Sequence, residues 1–81
     1  MKIRVRLFAS FREAAGTGTL AWDAPQGATV AEVVAALQAE YPRFGPTAET
    51  ALLAVNQEYV GREYPLHDGD ELALIPPVSG G

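Results

Sequence analysis

Residues 29–41, TVAEVVAALQAEY, predict the main helix of this chain and thereby the class of its fold. Thr29 is a suitable N-cap, and Glu32 three residues later completes a capping box, a feature that contributes about 1 kcal/mol. The apolar residues recur at helical spacing and form one stripe, which consists of Val30, Val33, Val34, Leu37 and Tyr41. Pro42 cannot continue a helix, so we expect this helix to end at Glu40 or Tyr41.

Two strands are predicted before the helix. Residues 2–9 alternate in character, so the two faces of this first strand separate an apolar set from a mostly basic set. The apolar set is Ile3, Val5 and Leu7, and the other set is Lys2, Arg4, Arg6 and Phe8. A turn is expected at residues 15–18, and Thr19–Asp23 follows as the second strand.

Two more strands are predicted after the helix. Residues 52–56 form the third strand, and residues 57–60 continue it through a turn. The dipeptide Asp68-Gly69 suits a tight turn, because glycine tolerates positive φ. Glu71–Ile75 is the last strand, and it directs Leu72 and Leu74 to one face and Ala73 and Ile75 to the other.

The order strand, strand, helix, strand, strand predicts an α+β domain with one sheet and one main helix packed on one face. This order is typical of the β-grasp architecture of ubiquitin, in which the first strand would pair with the last. Other small α+β folds share the order, so the order alone does not distinguish them. We expect a β-grasp domain over residues 1–75, with a mixed sheet, and an extended C-terminal tail over residues 76–81.

Composition excludes several classes of function. The chain has no cysteine, which excludes a disulfide scaffold, a cysteine-based metal site and a side-chain thiol as sulfur carrier. A net charge of −4 argues against a nucleic-acid partner, and no apolar run approaches the roughly 20 residues of a membrane span. His67 is the only histidine, so we expect no metal site. Because residues 1–6 do not resemble a signal peptide, we expect a cytoplasmic protein.

The tail, PPVSGG, is the segment that indicates chemistry. Its two prolines cannot donate a backbone hydrogen bond to a sheet, and they favour an extended segment that reaches roughly 19 Å at ~3.1 Å per residue. Gly80 and Gly81 add no side chains, so we expect a narrow arm that can enter a channel in a partner and present the carboxylate of Gly81. The alternative is that the two glycines are simply a frayed end. Their position after a predicted strand and a Pro-Pro root favours the functional interpretation.

A terminal carboxylate needs activation before it can react, because it is already an anion and a poor electrophile. Joining it to AMP at the expense of ATP gives a mixed anhydride, which a sulfur nucleophile can attack. The product is a thiocarboxylate, and its sulfur can then be donated to another molecule. The residues predicted to line the partner's channel are Pro76, Pro77, Val78, Ser79 and Gly80.

Over essentially its whole length the sequence resembles the ubiquitin-like sulfur-carrier family that includes the small subunit of molybdopterin synthase. The ending PPVSGG is the most specific element of this resemblance. The other matching stretches are IRVRLFA at residues 3–9, FREAAG at 11–16, TVAE at 29–32, AVNQ at 54–57 and PLHDGDE at 65–71.

The resemblance implies a cycle between two partners and no bound cofactor. An adenylating enzyme related to ubiquitin-activating enzymes would use ATP to convert Gly81 to an acyl-adenylate, and a sulfurtransferase system would supply the sulfur. The large catalytic subunit of molybdopterin synthase would then receive the tail, whose thiocarboxylate donates sulfur to the pterin precursor of the molybdenum cofactor. The chain itself would be a non-catalytic, sulfur-donating subunit.

A partner surface is predicted next to the tail. Strand alternation turns Phe8 and Ile75 outward on the sheet, and Phe11 and Val60 in neighbouring segments extend the expected apolar patch. The alternative is that Phe8 packs under a loop or that the alternation is displaced by one residue. Arg12 is added to the partner-binding residues because its Arg-Glu segment belongs to the family resemblance.

Three other functions remain open from the sequence. The same tail chemistry would serve a sulfur carrier for thiamine, tRNA thiolation or another sulfur pathway. It would also serve a ubiquitin-like modifier that joins Gly81 to lysines of other proteins. In the third alternative, the chain is a binding module and its Gly-Gly ending is accidental.

Overall fold

The computed structural model describes residues 1–77, in which five strands and two helices are joined by short connections. Two 3₁₀ turns, Pro42–Phe44 and Pro46–Thr50, lead from the second helix to the third strand. In chain order the elements are β1 (Lys2–Leu7), α1 (Ala9–Ala15), β2 (Thr19–Asp23), α2 (Val30–Glu40), β3 (Leu52–Val55), β4 (Glu58–Tyr59) and β5 (Glu71–Ile75).

The five strands form one mixed sheet in the order β2-β1-β5-β3-β4. β1 and β5 are parallel, with Val5 opposite Leu72, and the other neighbouring pairs are antiparallel. The first strand therefore lies beside the last, as predicted. With α2 across one face, this arrangement confirms the β-grasp fold.

Helix α2 forms where the sequence predicts it, and the capping box is present. The Thr29 hydroxyl accepts the Glu32 N–H at 3.3 Å, and the Glu32 carboxylate accepts the Thr29 N–H at 2.9 Å. Two of the N–H groups that a helix start leaves unpaired are thereby satisfied. Within residues 1–77, neither α1 nor α2 is long and apolar enough to cross a membrane.

The core lies between α2 and the sheet. It joins the predicted helix stripe to the predicted inward faces of β1 and β5. Each of these side chains is at most 3% exposed except Tyr41, which ends the stripe and is only partly buried against the core. The residues that confirm the alternation are Ile3, Val5, Leu7, Val30, Val33, Val34, Leu37, Leu72 and Leu74. Burial of each such side chain stabilises the fold by about 1.5–3 kcal/mol.

Helix α1 is the element that the sequence patterns did not predict. The first strand was expected to run to Ala9, but Ala9 has φ 48°, which is incompatible with an extended strand. The chain turns there into seven helical residues and ends them at Gly16, whose left-handed φ of 78° brings its N–H to the Arg12 carbonyl. With only Phe11 buried, α1 is too short to show a helical period.

Two tight turns set the strand lengths at the other end of the sheet, where β5 begins. Asn56 and Gln57 have φ of 51° and 73°, which is typical of the two-residue turn that joins a hairpin. The third strand therefore ends at Val55, one residue earlier than predicted, and β4 is only two residues long. The predicted turn at Asp68-Gly69 is confirmed, with Gly69 at φ 86°.

Candidate functional site

The face of the sheet opposite α2, called the open face below, contains the side chains that alternate with the core residues. Strand pairing places Ala73 of β5 beside Arg6 of β1 and Ala54 of β3, and it places Ala54 beside Tyr59 of β4. Ile75 pairs with Leu52 in the same way. The open face is therefore apolar toward the end of β5 and at its partners on β3 and β4, whereas Glu71 at the start of β5 lies beside the arginines of β1.

An apolar patch occupies the part of the open face where β5 ends, and its residues are Phe8, Leu52, Tyr59, Ala73 and Ile75. A shallow hollow of about 210 Å³ lies among four of these side chains, all except Leu52. Phe8 is 37% exposed, Leu52 43% and Tyr59 75%, which is unusual for large apolar side chains and typical of a surface that binds a partner. The structure thus brings Phe8 and Ile75 together on the open face, as strand alternation predicted.

The root of the tail begins at this patch. Pro76, which follows Ile75 directly, is partly buried, and Pro77 is exposed. A partner that covers the patch would therefore contact the start of the tail as well. The remaining residues predicted for the channel segment and for sulfur attachment lie outside the described residues, and they are Val78, Ser79, Gly80 and Gly81.

Phe11 does not belong to this surface, contrary to the sequence prediction. It is 1% exposed, and its ring centroid lies 5.1 Å from that of Phe44 in the core. The reason is α1: once the chain leaves the sheet at Ala9, the side chain of Phe11 is set by the helix and turns inward. Phe11 is therefore a core residue.

Val60 was also assigned to the wrong side of the sheet. Its N–H donates to the carbonyl of Leu53 at 3.0 Å, which pairs Val60 with a residue that faces α2. Val60 is consequently half-buried against the core rather than part of the open face.

Leu52 and Tyr59 take the place of Phe11 and Val60 in the patch. Alternation along residues 52–55 could have identified Leu52, whereas Tyr59 required the register of the hairpin.

The two arginines of β1 share one carboxylate. Arg4 Nη1 lies 3.9 Å and Arg6 Nη1 lies 3.8 Å from the carboxylate oxygens of Glu71, and both arginines are largely exposed. Such long, solvated ion pairs contribute about 0–1 kcal/mol each. Arg12 lies on α1 with its side chain exposed, beside the Phe8 end of the open face.

The described residues offer no cluster of three or more histidine, cysteine, aspartate or glutamate side chains that could hold a metal ion. His67 lies in the Asp68-Gly69 turn, where its backbone N–H donates to the Asp70 carboxylate at 2.8 Å. Its imidazole is 75% exposed, with Nδ1 3.9 Å from the same carboxylate. The candidate site is the apolar patch at the end of β5, which continues into Pro76.

Comparison with known proteins gives consistent full-length matches. A family model described as the ThiS family matches residues 5–81. The molybdopterin synthase sulfur carrier subunit of Chlamydomonas reinhardtii is 40% identical over 83 aligned residues, which cover all of both chains.

Solved structures agree with these matches. The crystal structure of small archaeal modifier protein 1 from Haloferax volcanii is 30% identical, with a TM-score of 0.83, over 95% of this chain and 98% of that chain. A chain in the complex of subunits 1 and 2 of molybdopterin-converting factor from Helicobacter pylori is 26% identical, with a TM-score of 0.71, over all of both chains.

Proposed function

The chain belongs to the ThiS family, and from this premise we propose that it is the sulfur carrier of molybdopterin synthesis, with Gly81 as the residue that bears the sulfur. The observation that carries the proposal is the 40% identity, over the whole of both chains, to a molybdopterin synthase sulfur carrier subunit. The apolar patch at the root of the tail supports it, because a carrier must be held by a partner while its chain end reacts.

The first half of the proposed cycle activates and thiolates Gly81. Its carboxylate attacks the α-phosphate of ATP on an adenylating enzyme, which releases pyrophosphate and leaves an acyl-adenylate. Sulfur from a sulfurtransferase system then attacks the carbonyl carbon and displaces AMP. Where the donor is a persulfide, a thiol reductant then cleaves the sulfur–sulfur bond of the acyl disulfide, forming a disulfide with the donor and leaving the thiocarboxylate. ATP is bound by the enzyme, and the chain needs no cofactor of its own.

In the second half the large catalytic subunit of molybdopterin synthase receives the charged tail. The thiocarboxylate sulfur attacks a carbon of the pterin precursor and displaces an oxygen substituent, which gives a thioester. Water then cleaves the acyl–sulfur bond, leaving the sulfur on the precursor and returning the carboxylate of Gly81. The likeness to a chain in the Helicobacter pylori complex supports a large-subunit partner. On this proposal catalytic side chains belong mostly to that subunit, and residues 76–80 occupy its channel.

A cytoplasmic location belongs to the same proposal, because the cycle begins where ATP is available. The two partners require the same chain end, so one carrier molecule serves them in turn. Each complex must therefore dissociate between steps. The patch suits such exchange, since it is shallow and of modest size.

Intact mass measurement tests the proposal directly. Incubation with the adenylating enzyme of the same organism, ATP and a sulfur source is expected to exchange one oxygen of the chain for sulfur. Adding the large subunit and the pterin precursor is then expected to restore the original mass as product forms. The adenylating enzyme must be shown to be active on another substrate. If the mass of the chain then stays unchanged, the proposal is contradicted.

A protein modifier is the second candidate function, and the likeness to small archaeal modifier protein 1 favours it. A modifier would form an amide bond between Gly81 and lysine side chains, so the same incubation with cell extract would yield adducts of higher mass. A carrier for another sulfur pathway would be thiolated, yet the large subunit and the pterin precursor would leave the thiocarboxylate intact.

The apolar patch provides a further prediction: Phe8→Asp is expected to weaken binding of the large subunit by about 10–100-fold, because an interface aromatic is replaced by a charge that contact would desolvate. Phe8 is 37% exposed and outside the core, so the unfolding temperature is expected to change little. Isothermal titration calorimetry measures the binding, and circular dichroism measures the unfolding.

Tyr64→Asp is the matched control for this variant. Tyr64 is also aromatic and 39% exposed, but its carbonyl accepts the N–H of Val30 at the start of α2, away from the open face. We expect Tyr64→Asp to bind the large subunit as the wild type does. Equal affinities for Phe8→Asp and Tyr64→Asp would remove the patch from the interface.

A further inference from the structure

A second hollow adjoins the apolar patch on the side of α1, and we call it the basic hollow. It has a volume of about 380 Å³ and is open to solvent. Its lining comes from residues 6–9 at the end of β1, from Arg12 of α1 and from residues 17–19. Two arginines are thus the charged side chains of this lining, although the chain as a whole has a net charge of −4. The positive character of the hollow is therefore local.

Each guanidinium group of the basic hollow lies against an uncharged neighbour, the Phe8 ring for Arg6 and the Gly18 backbone for Arg12. Arg6 Cζ lies 5.3 Å from the ring centroid of Phe8, within the range of a cation–π interaction. The side chain of Arg12 runs along Gly18, where a Cβ would lie 3.4 Å from Nε and 3.6 Å from Cζ. The bare backbone of Gly18 thus provides room for Arg12 at the wall of the hollow.

The arginines have more positive charge than the nearby carboxylates balance. Among the residues that the structure describes, Glu71 is the acidic partner of both Arg4 and Arg6, at 3.8–3.9 Å. Within residues 1–77, no carboxylate lies within 4.0 Å of the Arg12 guanidinium. The Arg12 guanidinium is therefore available to an added anion, whereas Arg6 shares the Glu71 carboxylate with Arg4.

The wall between the arginines also contains a strained backbone position. Ala9 has φ 48°, in the left-handed region, where a residue with a Cβ costs about 1–2 kcal/mol. This turn ends β1 and starts α1, so it brings Arg12 of the helix to the same hollow as Arg6 of the strand. Strain of this kind is frequent at binding sites.

We propose that the basic hollow receives an acidic side chain of the large catalytic subunit when that subunit docks on the open face. The proposal rests on the proposed function, because it concerns the same docking event. The hollow and the apolar patch share Phe8, and Arg6 lines both depressions. A partner that covers the patch would therefore remove water from Arg6 and Arg12, which is costly unless it brings a negative charge. A carboxylate matches the planar guanidinium fork and can accept two hydrogen bonds from it.

Charge reversal tests the inference. Arg12→Glu and Arg6→Glu are each expected to weaken binding of the large subunit by about 10–100-fold at low salt, and the loss is expected to shrink as salt screens the repulsion. Arg12→Gln, which removes the charge without reversing it, is expected to have a smaller effect. Arg43→Glu is the matched control: it makes the same change in net charge at an exposed position of the Pro42–Phe44 turn, whose Phe44 packs into the core.

A reciprocal change in the partner supplies the decisive readout. Among variants of the large subunit in which single surface Asp or Glu residues are changed to Arg, one is expected to restore binding of Arg12→Glu. Only variants whose unfolding temperature equals that of the wild type are compared, so that a loss of fold does not count as a loss of binding. The inference is overturned if Arg12→Glu and Arg6→Glu bind like Arg43→Glu.

Two further outcomes distinguish this inference from a small-anion site and from a failure of the proposed function. If inorganic phosphate shifts the amide resonances of residues 17–19 while both charge reversals leave partner binding intact, the hollow is a small-anion site and the inference is wrong. If the wild-type chain is not thiolated and does not bind the large subunit, the proposed function fails first. If the wild type does both, the arginine variants decide the inference alone.

Discussion

Deleting Gly81 is expected to abolish formation of the thiocarboxylate while leaving the stability of the domain unchanged. The deletion moves the terminal carboxylate back by one residue, about 3.3–3.6 Å of extended chain. Adenylation requires the carboxylate within about 3–3.5 Å of the attacked phosphorus, and a 1 Å misplacement can cost about 100-fold in rate. The buried core spans Ile3 to Leu74, so its packing does not depend on residue 81.

Gly81→Ala is the control for this deletion, because it keeps the length of the tail and adds only a methyl group. We expect it to retain measurable thiolation, at a reduced rate caused by crowding of the carbonyl. Intact mass after incubation with the adenylating enzyme, ATP and a sulfur source measures both variants, and circular dichroism measures their unfolding. Normal thiolation of the deletion variant would show that Gly81 is not the acceptor.

Phe11→Ala is expected to lower the free energy of unfolding by about 3–5 kcal/mol, the usual cost of removing a buried aromatic ring. A chain of 81 residues has a total stability of about 4–12 kcal/mol, so this loss is a large fraction of the total. The loss arises because Phe11 is 1% exposed and fixes α1 to Phe44, whose ring stacks on Tyr41 at 5.3 Å.

Phe8→Ala is the matched control, since it removes the same ring three residues away at a position that is 37% exposed. We expect it to cost less than about 1 kcal/mol, as surface substitutions usually do. Urea denaturation of both variants, followed by circular dichroism, gives the two free energies. If the two losses were equal, the assignment of Phe11 to the core and Phe8 to the surface would be wrong.

Local patterns were sufficient to predict most of the fold. The capping box, the stripe of α2 and the alternation in β1 and β5 each require only neighbours within a few residues, and all three are confirmed. Helix α1 was missed because its seven residues bury one side chain and depend on a left-handed alanine. An alanine with positive φ has no sequence signature, because this conformation is imposed by the packing around it.

The candidate site was predicted less completely, for a related reason. Phe8 and Ile75 follow from strand parity alone, and the structure places both on the open face. Phe11 and Val60 were misplaced because their orientation depends on α1 and on the register of the β3–β4 hairpin. The basic hollow draws its walls from three segments, so only the tertiary structure brings Arg6 and Arg12 together.

The central position of β5 links the order of synthesis of the chain to the surface that the complete sheet presents. β5 joins the pair β2-β1 to the pair β3-β4, and it is the last strand to be synthesised. A translation product that stops before residue 71 has two separate hairpin-like halves and cannot complete the sheet. Such incomplete products would also lack Ala73 and Ile75, and with them the centre of the apolar patch.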